Sequence, residues 1–400
     1  MDADEVFLYL VAGVVEGAQK GFRSPSPLFQ QALNKLTALQ LAEGKTLPLT
    51  FNDVLDELEK PIGIWWPGQP PSFVQQEEIR PTWCILYERT PDDHWVEEFL
   101  EKRGVRLRLG QSLQEFQADI DQSAIKDVQD ICRKDPLALA SVYAAIRRFL
   151  IEYPVTTIFE LQQSLGNFPQ IPMKLVNSFY EAPERFGRYA RHEGHYWLCP
   201  YCRGILNWGE NGRLPRCARH SVCGKLYPDY RNKRPLDEKY GLIRLKWGLH
   251  RRVCIPGIPE IELYDWAEKL RKTQPGLLVS VILWPGVDRY DLQLRFIDGE
   301  IWAVDVKDYA DPIGLYRKLH EYEHSADIFD LGPLKWTHGF YVVPQYRLDW
   351  DRTYIDQFKR AAPKGQKPLP PKIQIVGQKR FQERVQEKLR ALKSQTATHP

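Results

Sequence analysis

The 400-residue chain is predicted to be a multidomain α+β protein, with a helical N-terminal region, a small four-cysteine module and a C-terminal α/β region around a mixed sheet. Three observations predict this. Apolar positions recur at helical spacing through most of the first 150 residues, four cysteines cluster between Cys199 and Cys223, and helix-period and strand-period segments alternate from Glu262 onward.

Composition bounds the function classes. At 43% hydrophobic and 27% charged, the chain is an ordinary globular protein. Its start, MDADEVFLYLVAGVVEGAQK, carries acids where a secretory signal needs bases, and its apolar run is too short to span a bilayer. A soluble, cytoplasmic protein with no membrane partner is expected. Seven cysteines, four of them clustered, point away from a disulfide framework and toward a metal site in a reducing compartment. The net charge of +3 conceals patterning: −9 over residues 1–183, +10 over 184–252, −7 over 253–358 and +9 over 359–400. Basic segments on either side of an acidic one suit a phosphate backbone gripped around a carboxylate-built metal site.

Within residues 1–150, EVFLYLVAGVVEGAQ, PLFQQALNKLTALQLAEG and FNDVLDELEK read as helices. PIGIWWPGQPPSF, with four prolines and two glycines, is expected to lack regular structure, and Trp65 and Trp66 read as packing for that loop before a binding surface. TWCILYE reads as a strand. Helices resume through HWVEEFLEKRG, SLQEFQADIDQSAIKDVQDICRK and PLALASVYAAIRRFLIEY. No phosphate-cradling glycine loop and no nucleophile elbow occurs in this half, and its acidity suits protein contact or regulation.

Residues 151–198 read as a helical linker or, alternatively, a helix-turn-helix or winged-helix unit. Thr157-x-x-Glu160 has capping-box form before FELQQSL, PMKLVNSFYEAPERF supplies another helix, and YARHEGHYWL reads as a hairpin; Arg185, Arg188 and Arg191 serve the nucleic-acid alternative.

Cys199-Pro200-Tyr201-Cys202, followed by Cys217 and Cys223, has the knuckle and second pair of a structural Zn2+ ribbon, in which four thiolates close a tetrahedral site. The wide second spacing leaves His220 as a rival ligand to Cys217 or Cys223. Cys84, Cys132 and Cys254 read as buried apolar residues, and His192 and His195 as solvent-facing hairpin residues. Arg203, Arg213, Arg216 and Arg219, with YRNKRP and RLKWGLHRR, form a basic and aromatic set suited to phosphates.

Next, IELYDWAEKLRKT reads as a helix stopped by Pro275-Gly276, and LLVSVILW as a buried strand closed by Pro285-Gly286. YDLQLRF and IWAVDV are period-two strands that leave Asp291, Asp305 and Lys307 on the face opposite Leu292, Leu294 and Val304. The hairpin register decides whether the acids meet. A two-residue turn at Asp298-Gly299 would set Leu292 against Asp305. A three-residue loop ending in a left-handed Gly299 instead pairs Leu294 with Trp302 and Leu292 with Val304, bringing Asp291 opposite Asp305, and apolar matching favours it. Two carboxylates and an ammonium on one patch of sheet suit a divalent cation and an attacking water. DPIGLYRKLHEYEHSADIF, LDWDRTYIDQFKRA and QKRFQERVQEKLRALK read as helices, GFYVVPQY and KIQIV as strands. Arg317 and Lys318 read equally as phosphate contacts or solvated helical bases.

Asp291, then Asp305-Val306-Lys307, after an acid-bearing helix, resembles the PD-(D/E)xK restriction-endonuclease-like superfamily over roughly residues 255 to 345. The resemblance implies an α/β sandwich around a mixed sheet, with Asp291 and Asp305 binding Mg2+ or Mn2+, Lys307 beside the attacking water and Glu262 as accessory acid. Asp288 and Glu260 stand as alternatives to Asp291 and Glu262. Two departures matter: Tyr290 stands where proline usually precedes the first acid, and the second acid is Asp, a shorter reach than the more frequent Glu. The order of helical region, zinc ribbon and nuclease-like core is similar to the restriction-endonuclease-related component associated with bacterial pPIWI-RE defence modules. That similarity implies a metal-dependent endonuclease acting on nucleic acid, DNA before RNA, with PIWI-like and helicase partner proteins. Two-fold symmetric cutting would need a homodimer. The competing reading is a catalytically silent subunit that binds nucleic acid or a partner through a nuclease-like fold. The chain then divides into a helical protein-contact or regulatory domain (1–150), a helical or winged-helix-like linker (151–198), a Zn ribbon with a basic segment (199–252) and a nuclease-like domain (253–400).

Overall fold

In the computed structural model the chain is described except at residues 1–2, 20, 23, 45–49, 76–78, 88, 93–94, 97–98, 101–112, 167, 183–185, 187–189, 209–214, 218–219, 231, 238–240, 322–333, 363–368 and 398–400. Most of the helix expected from HWVEEFLEKRG, the second half of DPIGLYRKLHEYEHSADIF, and Arg185, Arg188, Arg213 and Arg219 lie outside the described residues. Two units result, Met1–Lys126 and Asp127–Pro400. Among the described residues no helix is long and apolar enough to cross a membrane.

In the first unit, helices α1 (Ala3–Gln19), α2 (Pro27–Ala42) and α3 (Phe51–Leu58) form as their apolar spacing predicts. Ser26 caps α2 by accepting from the Phe29 N–H, and Thr50 and Asp53 close a capping box on α3. Gly13 lets α1 lie against α2, since a Cβ there would stand 2.7 Å from Phe29 Cα. Phe7 is ringed by Trp66, Phe73, Trp95 and Phe99, so Trp66 is core, and Trp65 packs against the same core. The proline-rich stretch, expected to be irregular, holds two single helical turns, Ile62–Trp65 and Ser72–Gln75. Proline is tolerated before and within a first turn, where its missing N–H would have no intrahelical partner. TWCILYE contributes only Leu86–Tyr87 as strand.

Helix α4 (Leu113–Arg133) crosses the boundary between the units, and α5 (Pro136–Glu152) follows in the second. Thereafter come β1 (Val155–Thr157), α6 (Ile158–Leu165) with the Thr157/Glu160 capping box, and β2 (Tyr180–Glu181). The hairpin β3 (Arg191–His192) and β4 (His195–Leu198) precedes α7 (His220–Leu226), β5 (Arg234–Leu236) and β6 (Leu242–Leu245). β6 sits between β1 and β2 in one three-stranded sheet, and β4 between β3 and β5 in another.

The C-terminal sheet is five-stranded and mixed, in spatial order β11 (Ile373–Gly377), β10 (His338–Val343), β9 (Ile301–Val306), β8 (Leu292–Phe296) and β7 (Leu278–Leu283). β7, β8 and β9 are antiparallel neighbours, whereas β9, β10 and β11 run parallel. Helices α8 (Ile255–Thr273) and α12 (Gln378–Ala397) cover one face through Leu263, Ala267, Phe381 and Val385. Helices α9 (Pro312–Glu321) and α11 (Tyr354–Arg360) cover the other through Leu315, Tyr354 and Phe358. LDWDRTYIDQFKRA, expected as one helix, is two, α10 (Gln345–Trp350) and α11. Asp351 breaks it by accepting from both the N–H and the hydroxyl of Thr353, a side-chain turn that competes with the helix.

Candidate active site and metal centre

The hairpin adopts the register that apolar matching selects, Leu292 against Val304 and Leu294 against Trp302, around a loop in which Gly299 has φ 86°. At the strand start the Asp291 N–H donates to Val304 O (3.0 Å), and Asp291 Oδ2 accepts from the Val306 N–H (2.6 Å). Lys307 Nζ lies 2.6 Å from Asp305 Oδ2 and over the Tyr341 ring, the parallel-register neighbour of Asp305. Asp291, Asp305 and Lys307 thus share one end of one sheet face. Both acids are buried, at 7% and 8% exposure.

Electrostatics there are unfavourable to anions. Burial, then the charges of Glu260 and Asp305, pushes the Asp291 carboxyl well above the usual carboxylate range, with Arg147 and Lys307 opposing. Burial disfavours the Lys307 charge, but Asp305 and Asp291 outweigh it and hold the ammonium above the ordinary lysine range.

The helix acid that joins this cluster is Glu260. On α8 the core residues Leu263 and Ala267 continue the stripe that Glu260 begins, at i, i+3 and i+7, while Glu262 is about 200° further round. Glu260 is 5% exposed. Burial, opposed by Arg147 and reinforced by Asp288, pushes its carboxyl up to about 7. Glu262 is an exposed residue whose partly desolvated carboxyl is also raised, and the charge it exerts falls on Tyr201.

Around Glu260 lies a network from α4 and α5. Arg147 Nη2 is 2.8 Å from Glu260 Oε2, and its Nη1 pairs with Asp288 Oδ2. Trp284 Nε1 donates to Glu260 Oε2 (2.6 Å), and Gln129 and the Tyr143 hydroxyl donate to Asp288 Oδ2. The turn after β7, expected only as a strand stop, is left-handed at Trp284, Gly286, Val287 and Asp288. For branched Val287 that conformation costs on the order of 1–3 kcal/mol. Three contacts hold it: Trp284 N–H on Asp291 O (2.7 Å), Arg133 Nε on Val287 O (3.3 Å), and the grip on Asp288. Arg147 and its partners had one sequence signal, an arginine within the apolar stripe Tyr143, Ile146 and Leu150 of α5.

The second cluster joins the four cysteines. Ligand atoms of Cys199, Cys202, Cys217 and Cys223 lie within 4.8 Å of one another, all buried, so the set can hold a metal ion such as zinc. The knuckle forms because Arg203 adopts φ 57°, turning the chain so that the Cys199 N–H donates to Gly204 O (2.9 Å) and the Arg203 N–H to Cys199 O (3.0 Å). Cys223 sits on α7, which accounts for the wide second spacing. His220 begins α7, and its side chain lies outside the described residues. Burial pushes the Cys202 thiol well up, and a divalent ion would be the natural counter-charge for thiolates held there. Ile255, the first residue of α8, packs into this cluster with Leu206 and Tyr230.

Cys132 and Cys254 are buried and Cys84 is half-buried. His192 stacks on Trp208 (3.8 Å), and His195 Nδ1 meets Asp237 Oδ1 at 2.8 Å. Near the cysteine cluster in sequence, Lys233 lies over Trp197 and Trp208, Arg191 over Tyr196 and Arg251 over Trp247.

Comparison with curated proteins and with solved structures finds no match. The similarity to the restriction-endonuclease component of pPIWI-RE modules is met over residues 257–393, which match the model of the family described as REase associating with pPIWI_RE.

Proposed function

We propose that the C-terminal region is a PD-(D/E)xK-type core and that the protein is a Mg2+- or Mn2+-dependent endonuclease acting, with PIWI-like and helicase partners, on DNA in a bacterial defence module. The observation that carries this is the buried pairing of Asp291 and Asp305 at one sheet end with Lys307 against Asp305. The donor set fits a hard divalent cation. Two carboxyl groups are held together away from water, and each has one polar partner, on Oδ2, leaving Oδ1 available among the described residues. Asp291 and Asp305 would hold the ion, which supplies Lewis acidity and an activated water. Lys307, against Asp305, would orient or deprotonate the attacking water and stabilise charge on a phosphate oxygen. Glu260 takes the accessory-acid place more readily than Glu262, because Glu260 is the helix acid whose charge reaches Asp291. The cysteine cluster is a structural Zn2+ site, and the basic, aromatic surface of residues 199–252 takes the phosphate backbone. Residues 1–150 serve protein contact.

Cleavage of supercoiled plasmid by wild-type and Lys307→Ala protein, both shown to retain zinc, tests the reading. Cutting that needs Mg2+ or Mn2+ and is lost in the variant supports it. Wild-type protein that stays inert with its partner proteins added supports the silent binding subunit instead.

A further inference from the structure

The turn between β7 and β8 does not hold itself: Trp284, Gly286, Val287 and Asp288 all have positive φ, from 48° to 65°, and glycine is the one residue among them that adopts it freely. Its anchor is the Asp288 carboxylate. Oδ2 accepts from Gln129 Nε2 on α4 (2.8 Å) and from the Tyr143 hydroxyl on α5 (2.8 Å), and it pairs with Arg147 Nη1, also on α5. Two routes lead from this anchor to Asp291. Along the chain only Arg289 and Tyr290 intervene. Across the turn, the Asp288 N–H donates to Trp284 O (3.2 Å) and the Trp284 N–H donates to Asp291 O (2.7 Å), just before β8 begins at Leu292. The Asp291 side chain then accepts from the Val306 N–H of β9, next to Asp305. Among the described residues, Asp288, Asp291 and Asp305 do not form a group of donors close enough to hold one ion.

We propose that Asp288 is a positioning residue and not a metal ligand: it ties the left-handed turn to α4 and α5 and so holds the Asp291 carboxylate in place for the divalent ion. The role toward the ion rests on the nuclease reading; the hold on Asp291 does not. Without the Asp288 anchor the turn relaxes toward ordinary backbone conformations, the Trp284 N–H leaves Asp291 O, and the Asp291 side chain loses its fixed place at the Val306 N–H. Aspartate suits the position twice over, since it tolerates the left-handed region better than most residues and accepts several donors on one oxygen.

The test uses the zinc-loaded full chain and two readouts. The first is hydrogen exchange of assigned backbone amides without added divalent ion. The Val306 amide reports the place of its acceptor, the Asp291 carboxylate, and the next amide, Lys307, bonded to Val342 O (2.8 Å), is the control. In Asp288→Ala the Val306 amide should exchange about tenfold faster and the Lys307 amide at its wild-type rate. The second readout is Mn2+ affinity, free Mn2+ being followed by electron paramagnetic resonance. Asp288→Ala should lose about 10- to 100-fold, whereas Asp288→Asn, which keeps an oxygen for Gln129 and Tyr143, should stay within about tenfold of wild type. A Val306 amide unchanged in Asp288→Ala, or accelerated no more than Lys307, overturns the proposal. So does an unchanged Mn2+ affinity in Asp288→Ala, or an Asp288→Asn protein that loses Mn2+ as completely as Asp291→Asn, the mark of a ligand. A wild type that takes no Mn2+ overturns the nuclease reading, and the exchange rates alone then decide the hold on Asp291. If Asp288→Ala does not fold, Tyr143→Phe removes one donor to Asp288: a smaller acceleration confined to Val306 is expected, and none overturns the proposal.

Discussion

Replacing Asp291 with asparagine should stabilise the metal-free protein while abolishing its response to divalent ions. Asp291 is 7% exposed, and burial together with Glu260 and Asp305 opposes its ionisation, so at about pH 8 its charge works against the fold. An asparagine carbonyl oxygen can still accept the Val306 N–H that now reaches Oδ2 at 2.6 Å, and the volume is nearly unchanged. The gain should be about 1–2 kcal/mol, the usual size of a stabilising substitution at a functional site, or roughly 3–6 °C in Tm for a unit this large. Lys307→Met should have the opposite sign. It leaves Asp305, whose side chain is 12% exposed, without its partner, at a cost of about 1–3 kcal/mol once the 23% exposure of Lys307 is allowed for. Thermal unfolding of the zinc-loaded proteins with and without Mg2+ reads both effects, with wild type gaining on Mg2+ addition and Asp291→Asn indifferent to it. A metal-free Asp291→Asn protein less stable than wild type would refute the reasoning, because the carboxylate would then be a structural anchor.

Cys223→Ser should lower bound zinc below the wild-type content, read by elemental analysis, and cost more than about 2 kcal/mol, since ligation energy there is folding energy. Gly204→Ala should destabilise by about 1–3 kcal/mol, because its Cβ would stand 2.2 Å from His250 Cε1; His250→Ala should relieve most of this, and a strictly additive double mutant would exclude the clash. The Glu260 carboxyl is raised from 4.5 to about 7, so the folded state favours the protonated form. Its contribution is therefore present below the lower value and lost as pH rises through the higher. Relative to Glu260→Gln, metal-free wild type should lose up to about 3 kcal/mol across that window in urea unfolding; a relative gain would mean that the pairing with Arg147 dominates instead.

Much of the C-terminal core was legible because its signals are local. The hairpin register follows from period-two alternation, apolar matching across the pair and a glycine where the loop needs positive φ. The cysteine cluster follows from spacing, although the helix carrying Cys223 does not. The helix acid that joins the cluster was harder. Glu260 and Glu262 are two residues apart, and choosing between them means recognising that a carboxylate continues the stripe of Leu263 and Ala267. The pairing of Arg147 with Glu260 was out of reach, since 113 positions separate them and only tertiary packing joins them. The left-handed turn runs against propensity, as nothing about a tryptophan or a valine announces positive φ, and contacts from α4 and α5 impose it.

That dependence on α4 and α5 bears on where the protein could be divided. A fragment trimmed to the family boundaries, 257–393, would omit Gln129, Tyr143 and Arg147, and so remove the cationic partner of Glu260 and Asp288 and two donors to Asp288. It would also sever α8 from Ile255, its root in the cysteine cluster. The family-matched segment and the portable unit are therefore different objects. Moving this acid cluster intact into another protein would require a piece that starts upstream of Gln129 and carries the four-cysteine module with it.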